Sequence, residues 1–186
     1  QKQQMLNLSQ ITRKEADPSF ENSNMESGRK FVKYYQSRAE EVGFSYKVVN
    51  SRLDSDCNNC LIQEFAQGSD LSDSVDTTFP IVDETGNPLK SSVILENMLA
   101  ARRRTDAYSE LNVSWLKELL TQSGVAHGDP HPGNIKYYVD PNTQKATMTL
   151  LDWGRMIDIS KHQKHAFNLS MSIFLDDYTL MKTSFS

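Results

Sequence analysis

His127-Gly-Asp-Pro-His-Pro-Gly-Asn134, followed eighteen residues after Asn134 by Asp152-Trp-Gly154 at the end of an apolar strand, is the stretch that decides the fold. Phosphoryl transfer needs little covalent chemistry from a protein. It needs a carboxylate to orient or deprotonate the nucleophile, and oxygen ligands that hold Mg²⁺ against nucleotide phosphates. Asp129 and Asn134 stand in the spacing Asp-x-x-x-x-Asn, which puts an acid at the start of a loop and an amide oxygen at its end. Asp152 before Trp153-Gly154 matches a second metal ligand of the Asp-Phe-Gly type. Mg²⁺ takes hard oxygen donors and keeps waters, so one carboxylate, one amide and phosphates suffice. Pro130, Pro132 and Gly133 restrict and then relax the backbone between the two groups.

Working outward, Ile135–Val139 and Ala146–Leu151 read as strands around the turn Asp140-Pro-Asn-Thr-Gln-Lys. Upstream, Val93–Ala101 and Val113–Gln122 read as two amphipathic helices, the second stopped by Ser123-Gly124. Asp17–Gly43 carries Phe20, Asn24, Phe31, Tyr34, Tyr35, Ala39 and Val42 at helical spacing, with Gly43 as a stop. Phe44–Val49 and Cys60–Phe65 are rich in β-branched and aromatic residues and read as a hairpin across a polar Asn50–Asn59 connection. A loop-like Ser, Asp, Thr, Pro and Gly tract runs from Gly68 to Pro88. It sets the expected division into domains 1–67 and 68–186. The final thirty residues place Phe167, Met171, Phe174, Leu175 and Tyr178 at helical spacing, a stripe read as core packing.

These motifs resemble the UbiB/ADCK (ABC1-type) atypical kinase-like family, linked to ubiquinone biosynthesis, whose loop reads His-Ala-Asp-Pro-His-Pro-Gly-Asn. Seven of the eight residues from His127 to Asn134 are identical. Glu21-Asn-Ser-Asn24 resembles the family's Glu-x-x-Asn, and Gln63-Glu64-Phe65-Ala66-Gln67-Gly68 resembles its hinge strand. The resemblance implies an α+β, protein-kinase-like fold: a truncated N-lobe of helix plus β-hairpin, and a mostly helical C-lobe with a β-hairpin carrying the metal site. It implies Asp129 as the catalytic acid, Asn134 and Asp152 as metal ligands, and Glu21 as partner of a nucleotide-binding lysine. Glu64 is then a cofactor-side hinge residue. His131 sits near the phosphates or metal, or makes a supporting hydrogen bond.

The implied cofactors are ATP and Mg²⁺, and the implied substrate is a small molecule or lipid-associated target in isoprenoid quinone metabolism, with a quinone-biosynthesis complex as partner. Mitochondrial, plastid or bacterial cytoplasmic residence follows by analogy alone. Nothing in Gln1–Ala16 resembles the family's Ala-rich nucleotide loop, lysine strand or Lys-x-Gly-Gln motif. With no initial Met, the chain reads as a fragment starting after them. A second group, the aminoglycoside and choline phosphotransferases, shares His-Gly-Asp-x-His-x-x-Asn and Asp-Trp. A non-catalytic pseudokinase module is the third reading.

Composition excludes other classes. Twenty Lys and Arg against 24 Asp and Glu give a net charge of −4, so no basic field draws nucleic acid or anionic lipid. No apolar run reaches the roughly 18 residues of a membrane helix. With 38% hydrophobic residues among 186 and a mean hydropathy of −0.57, a folded, water-soluble domain is expected. Cys57-Asn-Asn-Cys60 has redox or half-zinc spacing but neither context, and reads as incidental rather than as a disulfide framework. His127 reads as structural, its ring packing and hydrogen-bonding to hold the loop.

Overall fold

The computed structural model describes residues 17–57, 60–72 and 81–175. The first helix, α1 (Pro18–Glu41), starts where Asp17 accepts the Ser19 amide and Pro18 occupies the first turn. Pro has no N–H to lose there and its φ is already helical. The helix stops at Gly43, whose φ of 89° is left-handed. Its inner face is Met25, Gly28, Phe31, Tyr35 and Ala39, spaced by three and four as one buried helical stripe must be.

That stripe covers a four-stranded sheet of order β1-β7-β6-β4, formed by β1 (Phe44–Val48), β4 (Ser69–Asp70), β6 (Ile135–Val139) and β7 (Ala146–Leu150). Two further pairs, β2 (Ser51–Leu53) with β3 (Leu61–Gln63) and β5 (Val125–His127) with β8 (Met156–Asp158), are antiparallel. The sheet's inner side chains, Phe44, Tyr46, Val48, Ile135, Tyr137, Met148 and Leu150, join the α1 stripe and Leu111, Trp115 and Trp153 in one core. Each large apolar side chain buried there contributes about 1.5 to 3 kcal/mol. Helix α2 (Ser91–Thr121), helix α3 (Gln163–Leu175) and a 3-10 turn at Pro132–Asn134 are further helical elements among the described residues. Among the described residues, no helix is long and apolar enough to cross a membrane.

The mixed α+β architecture matches the expectation, and four local readings need correction. β1 does not form a hairpin with the Cys60–Phe65 segment. It pairs parallel with β7, Phe44 opposite Ala146, while β3 pairs with β2. The 91–121 region is one helix, since it holds neither Gly nor Pro and its polar centre is an exposed helix face. Cys57 and Cys60 form a disulfide across the β2–β3 connection, where the turn brings the Cys60 amide onto the Cys57 carbonyl. On α3 only Ser172 is buried and Phe174 is 82% exposed, so the described part of that stripe is not core. Tyr178 lies outside the described residues.

Candidate nucleotide and metal site

His127 ends β5 and holds the loop that follows. The Asp129 amide donates to its Nδ1 at 3.1 Å, so the proton sits on Nε2, which donates to the Leu151 carbonyl at 3.0 Å. The ring is wedged between Trp115 and Trp153, with centroids 5.5 and 4.7 Å away. Burial holds its pKa below the usual histidine value, partly offset by its bond to Leu151 and by Asp152 and Asp129 nearby. One neutral imidazole therefore ties the start of the loop to the backbone beside Asp152.

The rest of the loop is fixed by its own polar groups and by α2. His131 Nδ1 accepts the Gly133 amide at 3.0 Å, and its Nε2 lies 3.7 Å from the Asp129 carboxylate. The Asn134 Nδ2 donates to the Asp129 carbonyl at 3.0 Å. Tyr108 on α2 donates its hydroxyl to the Pro130 carbonyl at 2.9 Å. The Leu151 amide donates to the Asn134 carbonyl at 2.9 Å, so Asn134 faces the residue before Asp152.

Asp152 has a φ of 54°, a left-handed conformation that costs a non-glycine residue about 1 to 3 kcal/mol and clusters at functional sites. Trp153 behind it is 1% exposed and donates from Nε1 to the Leu150 carbonyl. From α1, Asn24 donates to the Trp153 carbonyl at 2.7 Å, and Gly28 lies directly against the indole. The helix carrying Glu21 is thereby joined to the Asp152 segment.

Asp129, His131 and Asn134 are thus linked within one loop, and the backbone of Leu151, the residue before Asp152, is bonded to both His127 and Asn134. Glu21 lies one turn from Asn24 on α1 and accepts the Gln63 amide at 3.0 Å; no lysine meets it among the described residues. Glu64 stands apart. Its carboxylate is held by Lys47 at 2.8 Å and by Asn50, which draw its pKa below the ordinary value.

The donor chemistry suits Mg²⁺. Among the described residues the Asp152 carboxylate has no hydrogen-bond donor, and the Asn134 amide nitrogen is committed, leaving Oδ1 as its free group. Both are hard oxygens. Among the described residues no three His, Cys, Asp or Glu side chains cluster as a self-sufficient metal cage, and a kinase-type set, completed by phosphates, has only one carboxylate and one amide.

Tyr108, Gly28 and Trp115 were not singled out in the sequence. Gly28 carried a signal, a lone glycine inside a helical pattern, which marks close packing. Neither the comparison with curated proteins nor that with solved structures gives a match. The model of the ABC1 atypical kinase-like domain matches residues 7–185, nearly the whole chain, with the His127–Asn134 loop and the Asp152 segment inside it. The chain belongs to the ABC1 atypical kinase-like family.

Proposed function

We propose that this chain holds the catalytic loop and metal ligands of a Mg-ATP site that carries out phosphoryl transfer or ATP hydrolysis. The observation that carries this is the Asn134 clamp. Its nitrogen is fixed on Asp129 and its backbone on Leu151, the residue before Asp152, which leaves Asn134 Oδ1 and the Asp152 carboxylate as oxygens without a hydrogen-bond donor among the described residues. Mg²⁺ would be held by these two, and when bound it would neutralise charge developing on the transferred phosphoryl group. Asp129, half exposed, 3.7 Å from His131 Nε2 and with no hydrogen-bond donor on its carboxylate among the described residues, would orient or accept the proton of the nucleophile. A small-molecule or lipid-associated acceptor in isoprenoid quinone metabolism, the hinge role of Glu64 and the lobe division at 67/68 belong to the same proposal.

The test is calorimetric titration of the chain with ATP, with and without Mg²⁺. Asp152→Asn is expected to abolish the Mg-dependent part of binding. Binding equal to that of the unsubstituted chain would remove the metal role. One observation favours a non-catalytic reading: among the described residues Glu21 meets Gln63 and no lysine. Mg-dependent binding with no ATP consumption would support it.

A further inference from the structure

We propose that the cavity between α1, the C-terminal half of α2 and the β5–β8 pair is a second ligand site, one that takes a planar aromatic acid. Its volume is about 410 Å³, within the range of small-molecule sites, which are mostly apolar with a few placed polar groups. Five rings line it, those of Phe31, Tyr34, Trp115, Trp153 and His127, with Val125 and Met156 beside them; Tyr34 is exposed and the other four are buried. None of Glu21, Glu64, Asp129, His131, Asn134 or Asp152 lines it, so it is separate from the proposed nucleotide site.

The charge on the ligand follows from the two ionic groups that also line the cavity. Glu118 already accepts the Ser123 amide at 3.3 Å. Lys30 is exposed and, among the described residues, has no carboxylate or other hydrogen-bond partner. An unpaired ammonium at an aromatic cavity is matched by a carboxylate carried on a flat ring, through a charge-assisted hydrogen bond above stacked rings. The occupant would lie beside His127 and Trp153, the two rings that hold the Asp129 and Asp152 segments.

The chain's two tryptophans, Trp115 and Trp153, both line the cavity, so their indole N–H resonances report its occupancy. The chain is titrated with phenylacetate and 2-naphthoate, and with the uncharged phenylacetamide and 2-naphthamide. Saturable shifts of both indole signals are expected, with the acids binding about tenfold tighter than the amides, the factor of one charge-assisted contact over a neutral one. Lys30→Met, at an exposed position, should erase that preference, while Glu118→Gln should preserve or strengthen it. The titration is run without nucleotide or Mg²⁺, so loss of the nucleotide reading would not affect this result. Shifts that do not saturate, equal affinity for acid and amide, an acid preference surviving in Lys30→Met, or tighter binding of phenethylamine than of phenylacetate would each overturn the proposal.

Discussion

The Asn134 carbonyl accepts the Leu151 amide at 2.9 Å, one step beyond the last paired positions of β6 and β7, Ile135 and Leu150. The separation in sequence between the proposed metal ligands is therefore set by a hairpin register, in which a slip of one residue would turn a side chain to the other face. Local loop chemistry supplies the orientation and the sheet supplies the proximity.

Asn134 does two jobs that substitution can separate. Asn134→Ala removes both the Oδ1 oxygen and the Nδ2 bond to the Asp129 carbonyl, and should weaken Mg-dependent nucleotide binding by roughly 10- to 100-fold. The lost hydrogen bond should cost about 1 kcal/mol of stability. Asn134→Asp restores a ligand oxygen but sets an acceptor against the Asp129 carbonyl. It should keep more of the metal affinity than the alanine variant while losing turnover. Mg²⁺ titrations of nucleotide binding for the two variants check the order, and equal affinities would show that Oδ1 is no ligand.

Gly28 opposes two known effects. An alanine in the interior of a helix is worth about 1 kcal/mol over glycine, so propensity alone forecasts a more stable protein. A Cβ at Gly28 would stand 2.5 Å from the Cζ2 and Cη2 carbons of Trp153, and the indole, 1% exposed, has no room to retreat. Overpacking of this kind costs about 1 to 3 kcal/mol and should prevail. Gly28→Ala should melt at lower temperature, whereas Ser27→Ala, at an exposed position, should not. The displaced indole drags Asp152 with it, so nucleotide binding should fall along with stability. A stabilised Gly28→Ala would show that Trp153 is looser than its burial implies.

The local readings that succeeded were those where chemistry and spacing are written in adjacent residues. α1 was legible because Phe31, Tyr35 and Ala39 of its buried stripe and its Gly43 stop lie in one run, although Phe20, Tyr34 and Val42 of the same pattern are exposed. The β6–β7 hairpin was legible because a six-residue turn joins its strands. The parallel partner of β1 was not, because Phe44 and Ala146 meet across a long separation and no local pattern encodes such a pairing. The site shows the same divide. The loop and the Asp152 segment announce themselves, whereas Tyr108 looks like any tyrosine on an amphipathic helix until its hydroxyl is found on Pro130. The disulfide escaped because Cys57-x-x-Cys60 sits on a hairpin connection, outside the strand-to-helix setting in which that spacing is usually read.

His127 makes the fold pH-sensitive, and the sign follows from its two bonds. Its Nδ1 accepts the Asp129 amide, so a proton added there would face an N–H and break the contact. Burial, the largest effect, lowers its pKa in the folded chain, while an unfolded histidine titrates near about 6.5. Between those two values the unfolded chain holds more protons than the folded one. Stability from this residue is thus complete above about pH 6.5 and declines as the pH falls through the lowered folded value. The carboxylates of Asp17, Glu64 and Asp158, each lowered chiefly by a side-chain hydrogen bond, act elsewhere. Their contribution is present above their unfolded pKa, and it disappears only below about pH 4.5. The interval from pH 6.5 to 5 therefore isolates the imidazole. Urea unfolding of the chain should show a midpoint that drops across this interval. His127→Gln should start less stable but lose little more on acidification, because glutamine does not titrate. Parallel curves for the two proteins would mean that the buried ring is not what the acid reaches first.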